Sequence, residues 1–156
     1  MKYARIGAAA LVLVFSAGMA CAGPVPAGGM TVKDVAGWLQ SKGFKAEIQQ
    51  GKNGKPKIAS ATQGADFYVH FYDCKADRCA SIQFTAGFTT HGTYSLEKEN
   101  AWNNGNRWLT ASMDQENDPW ISMDVDLSPG GSYELLNDQF QVWNDSVARF
   151  EKTIKE

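Results

Sequence analysis

Cys74 and Cys79, in the stretch HFYDCKADRCASIQF, are separated by four residues and lie between two aromatic, β-rich runs. Such a pair can be a redox centre, half of a metal site or a covalent staple. A dithiol redox centre wants Cys-x-x-Cys at a helix N-terminus, where the dipole lowers a thiol's pKa. KADR is too long a spacer for that, and its setting is strand-loop-strand. A structural zinc site needs further ligands, and the chain has only His70 and His91 as histidines. The third cysteine, Cys21, falls in an N-terminal export signal, which leaves an even pair in an oxidising compartment. The pairing logic is independent of compartment. If Cys74 lies opposite Cys79 in an antiparallel hairpin, Phe71 faces Ile82, Val69 faces Phe84 and Phe67 faces Ala86. On the other face Tyr72 meets Ser81, His70 meets Gln83 and Tyr68 meets Thr85. A one-residue slip would turn one strand over and destroy this match. Opposed hairpin residues are close enough to be bridged, so the expectation is a Cys74–Cys79 disulfide.

Other constellations fit chemistry less well. Asp114, Glu116 and Asp118 in DQENDP begin like an EF-hand loop, but Pro119 stands where that loop needs Gly and Val125 where it needs the bidentate Glu. A turn between strands accounts for them. Asp124 and Asp126 share one strand face and could in principle serve as an acid–base pair. Carboxylates two apart on a half-exposed strand more commonly solvate its outer face. His91 sits in the turn-like TTHGT, and His70 on a polar strand face. Neither GxSxG nor a free thiol signals nucleophilic catalysis. SPGGS lacks the lysine of a phosphate-binding loop, and no cofactor is implied.

Aromatic residues carry the most functional promise. Trp108 and Trp120 fall on strand faces opposite rows of Leu, Ala, Met and Ile, and Tyr68 and Tyr72 lie opposite the apolar row of the disulfide hairpin. Covered by a helix, these rings are core. Left open, they form an aromatic–polar surface of the kind enriched in protein interfaces. These four residues are the candidates for partner binding.

The N-terminus sets the compartment. MKYARIG carries Lys2 and Arg5, AAALVLVF is a short apolar core, and Ala20-Cys21-Ala22 is a small-x-small cleavage site. The apolar run is too short to span a bilayer, and no second run of spanning length follows. Residues 1–22 therefore read as a signal peptide and the product as periplasmic or secreted. Lipid anchoring at Cys21 is the alternative, although Gly18 stands where a lipoprotein signal usually has Leu. Of the 15 Lys and Arg, the two in the signal are lost, leaving 13 cations against 17 Asp and Glu. With no basic cluster, nucleic acid is not an expected partner.

The elements that must position these residues follow from pattern. GPVPAGG and Met30 (residues 23–30) read as a flexible leader, with one domain over 31–156. MTVKDVAGWLQSKGF reads as a helix with Thr31 as N-cap, Asp34 completing a capping box, a Val32, Val35, Ala36 and Leu39 stripe, and a Gly43 stop. Asn53-Gly54 marks a hairpin between FKAEIQQ and PKIASAT. SLEKENAWNNGN reads as a short helix capped by Ser95. RWLTASMD and PWISMDVDLS alternate as strands. Tyr133, Leu136, Phe140, Trp143, Val147, Phe150 and Ile154 form one stripe along a long C-terminal helix. The expected fold is α+β: an antiparallel sheet packed by an N-terminal helix, a short middle helix and a long C-terminal helix.

FYVHFYDCKADRCASIQFTAGF, then SLEKENAWNNGNRWLTASMD, then MDVDLSPGGSYELLNDQFQVWNDSVARFEKTI, taken in order, resemble the YbjN domain family of bacteria. The Cys-x4-Cys, the Asn100, Trp102 and Asn103 group followed by Arg107-Trp108, the aspartate strand before Gly-Gly, and the spaced Trp143 and Phe150 carry the resemblance. It implies a fold similar to type III secretion chaperones and a regulatory or sensory role, with no catalytic residues to carry over. The reading from sequence is thus an exported, non-enzymatic interaction domain that binds an envelope protein or peptide, or a second copy of itself. A small hydrolase using Asp124 and Asp126, or a purely structural envelope protein, is the alternative.

Overall fold

The computed structural model describes residues 23–155 apart from Asn53. The proposed signal, with Cys21, and Asn53 of the first hairpin turn lie outside the described residues. Chain order is β1 (Met30–Thr31), α1 (Val32–Ser41), β2 (Glu47–Gln50), β3 (Pro56–Thr62), β4 (Ala65–Lys75), β5 (Arg78–Gly87), α2 (Leu96–Gly105), β6 (Thr110–Met113), β7 (Pro119–Asp126) and α3 (Tyr133–Lys155). Among the described residues these are three helices and one antiparallel seven-stranded sheet, an α+β fold. Its order is β2-β3-β4-β5-β7-β6, with β1 also paired to β5.

The helix ends form where their capping chemistry is written. Thr31 Oγ1 accepts from the Asp34 amide at 3.0 Å, and the Asp34 carboxylate accepts from the Thr31 amide at 3.1 Å. At the other end Gly43 takes φ +85°, and the amides of Gly43 and Phe44 donate to the carbonyls of Gln40 and Leu39. Ser95 caps α2 by accepting from the Lys98 amide.

Alternation along each strand then sorts the two sheet faces. Ile58, Phe67, Val69, Ile82, Phe84, Ala86, Ile121 and Met123 point to one side and are buried. Phe140 and Trp143 of α3 settle on that side, with Trp143 stacked 5.6 Å from Phe84 and Phe140 6.0 Å from Phe67. Trp38 of α1 packs 5.1 Å from Phe140, and its Nε1 donates to Asn137 of α3 at 2.9 Å. Trp102 of α2 packs 4.8 Å from Phe150 of α3. All three helices thus cover one face.

Two features differ from the sequence reading. In place of a flexible leader, residues 23–30 are docked. The amide of Tyr133 donates to the Gly23 carbonyl, that of Val25 donates to Gly131, and Val25 and Met30 are buried. A side chain at Gly29 would collide with the Cys79 carbonyl, so only glycine permits this approach. Cys79, expected on the polar face, is buried beneath this segment, where Met30 pairs with it, while its partner Cys74 stays exposed.

Candidate functional site

The second face of the sheet is open. Its rows run across the strands: Tyr68 opposite Thr85, Thr85 opposite Ser122, and Ser122 opposite Thr110; then His70 opposite Gln83 and Gln83 opposite Asp124. The β4–β5 pairs are those deduced from the cysteines, and Cys74 and Cys79 are disulfide-bonded. Among the described residues no helix packs over this face, whose side chains are half-buried by their neighbours or exposed.

Side-chain contacts organise the surface. Lys57 Nζ sits 3.6 Å from the Tyr68 ring centroid, a cation–π contact. His70 Nε2 lies 3.0 Å from Thr85 Oγ1. Partial burial, and secondarily the Lys57 charge, hold the His70 pKa below that of an ordinary histidine. Tyr72 Oη donates to Gln83 Oε1 at 3.3 Å, and Gln83 Nε2 donates to Asp124 Oδ1 at 2.9 Å. Tyr72 remains 44% exposed.

Trp120 is held from two sides. Its ring lies over Gly87, where an added Cβ would come within 2.6 Å of the indole, so glycine is required beneath it. Its Nε1 donates to Asp114 Oδ2 at 3.0 Å, while Asp114 Oδ1 accepts from the amides of Glu116 and Asp118, each at 3.0 Å. The Trp120 bond first, and these amides with it, hold the Asp114 carboxyl below its ordinary pKa. Asp118 is similarly engaged by the Thr90 amide at 2.7 Å. The acidic turn residues thus orient a tryptophan and close a turn.

Three of the four aromatic candidates, Tyr68, Tyr72 and Trp120, share this open face. Trp108 does not. β6 begins only at Thr110, and the preceding residues leave strand geometry, so Trp108 lies beside α3 in a recess lined also by Val142, Asp145 and Arg149. It is 52% exposed, with the Arg107 guanidinium 4.9 Å from its ring. Asp124 and Asp126 are exposed on β7 and line none of the cavities described here. The concave convergence with a third polar group that acid–base catalysis requires is not formed there.

Cavities adjoin the open face at its disulfide end. One of about 810 Å³ is lined by Val32, Lys55, Pro56, Phe71, Tyr72 and Cys74. A smaller one, about 340 Å³, joins Lys52, Lys57 and His70 to Tyr72. Tyr72 lines both, so a segment lying on the sheet has a recess at its margin.

Sequence reasoning missed the treatment of the sheet edges. Asn103 of α2 reaches the outer edge of β6, accepting from the Ala111 amide at 2.8 Å and donating to the Ala111 carbonyl at 3.1 Å. Its amide stands in for the next strand and closes this edge. The only signal was an asparagine in a helix of weak amphipathicity, seven residues before a strand.

Among the described residues, no helix is long and apolar enough to cross a membrane. No curated protein matches the chain. Residues 31–156 match a bacterial family described as "Putative bacterial sensory transduction regulator", and the chain belongs to that family, YbjN.

Proposed function

We propose that the chain is an exported, non-enzymatic interaction module of the bacterial envelope, with residues 1–22 as its signal and 31–156 as the binding domain. Its open sheet face docks a segment of an envelope protein. The observation that carries this reading is the placement of all three helices on one face, with Tyr68, Tyr72 and Trp120 left on the other among Ser, Thr and Gln side chains. Tyrosine and tryptophan are the residues in which interface centres are enriched. The charges on the face are mixed, with Glu47, Lys57 and Asp66 toward one edge and Asp124 and Asp126 toward the other. A disulfide suits an oxidising compartment, which supports export, and membership of a regulatory family agrees with a binding role.

Cross-linking in cells with tagged full-length protein tests this reading. The expected result is one partner recovered in near-equal amount, lost with Trp120→Ala and retained with Trp108→Ala. Recovery of only the monomer or a homodimer, or a partner insensitive to Trp120→Ala, overturns it.

A further inference from the structure

The cleft between α2 and the second half of α3 concentrates positive charge on a chain whose formal net charge is −2. Two adjoining recesses, about 410 and 560 Å³, share Asn106 and Arg149. The first is lined also by Trp102 and Lys152, the second by Arg107, Trp108 and Asp145. Among the described residues the ion pairs are Lys45–Glu47, Arg78–Asp34 and Lys155–Glu151, so the three cleft cations are paired with no acid. Arg149 is steadied by donating to Ser146 Oγ at 2.9 Å, and Arg107 lies over the Trp108 ring. Trp102 is 5% exposed, and its indole Nε1 is a buried donor with no acceptor.

We propose that this cleft binds a small organic anion, its carboxylate or phosphate head held by Arg149 and Lys152 and its flat apolar body lying against Trp108. Arginine and lysine supply the charged donors such a head recognises, and an exposed indole supplies the stacking surface. The volumes suit a small molecule. This site is on the helix side of the molecule, so it is independent of partner docking on the open sheet face.

Fluorescence titration of the purified full-length protein with 1-naphthyl phosphate tests it, with neutral 1-naphthol as the control. The expected result is saturable binding, at least roughly tenfold weaker for the naphthol. The Arg149→Gln/Lys152→Gln double variant, altered at two exposed positions, should lose roughly tenfold in affinity with its melting temperature unchanged. Trp108→Ala should weaken binding as well. Failure to saturate by about 10 mM, or undiminished binding by the double variant, overturns the proposal. Vesicles containing phosphatidylglycerol form a second arm. Binding to them without binding to the soluble anion would make the cleft a lipid-headgroup site and overturn the small-molecule assignment.

Discussion

Along β4, Phe67, Val69 and Phe71 alternate with Tyr68, His70 and Tyr72. The two sets share one backbone, one register and nearly the same aromatic content. One set is buried, with Phe67 packed against Phe140 and Trp143; the other remains beside water. The helices cover the first set and leave the second open, and the strand's own side chains match that division. The buried set is hydrocarbon alone, whereas in the open set His70 and Tyr72 use polar atoms to engage Thr85 and Gln83, and the Tyr68 ring carries Lys57 on its face. A face meant to be covered needs no such handles, and a face meant to meet a partner uses them for orientation.

Substitutions on the two faces should separate sharply. Trp143→Ala opens a cavity at the centre of the covered face and should remove about 3–5 kcal/mol, read as a large fall in the chemical denaturation midpoint. A small effect there would mean that the helices are loosely docked and that the two faces are not distinct. Removing the disulfide with Cys74→Ala/Cys79→Ala constrains the hairpin less. For so short a loop the chain-entropy estimate is about 2 kcal/mol, measurable by the same unfolding curves. Asn103→Ala should lower stability by about 1–2 kcal/mol by orphaning the Ala111 backbone. It should also accelerate hydrogen exchange of the Ala111 amide; unchanged exchange would show that the edge is protected by something else. Trp120→Ala, on the open face, loses its packing on Gly87 and its bond to Asp114 and should cost less than about 2 kcal/mol, well short of Trp143→Ala, while abolishing partner capture. If it instead unfolds the protein as Trp143→Ala does, the open face is structural.

The smallest effect concerns pH. The folded-state pKa of His70 is depressed, first by burial and then by Lys57, so between the folded and unfolded values the unfolded chain binds more protons. Stability is therefore fully present above the unfolded histidine pKa, near 6.5, and declines as pH falls toward the folded value. His70→Gln should flatten this part of the profile in thermal melts taken below the ordinary histidine pKa. An unaltered slope would locate the titrating group elsewhere.

Local and pairwise features were legible in the sequence because their signals are themselves local. The two cysteines with alternating flanks dictate the β4–β5 register, since any slip inverts a face. Thr31 with Asp34, Gly43 and Ser95 mark helix ends by chemistry completed within a few residues. Features that depend on distant parts of the chain were not legible. Met30–Thr31 is too short to declare itself a strand until β5 offers Cys79 and Arg78 as partners. Residues 23–30 look like a leader until Gly131 and Tyr133 supply hydrogen-bond partners. Trp108 looked like a strand residue because alternation continues through Leu109, yet pairing with β7 starts at Thr110. The open face, too, could be told from a covered one only once all three helices were seen to lie on the same side.

Site-specific photo-crosslinking in cells tests the open-face account most directly, with the reactive amino acid placed at Thr85 in one strain and at exposed Gln141 on α3 in another. The account predicts a discrete adduct from position 85, none from position 141, and loss of the adduct on adding Trp120→Ala. An adduct from position 141 with none from position 85 would contradict it and move the binding surface to the helices.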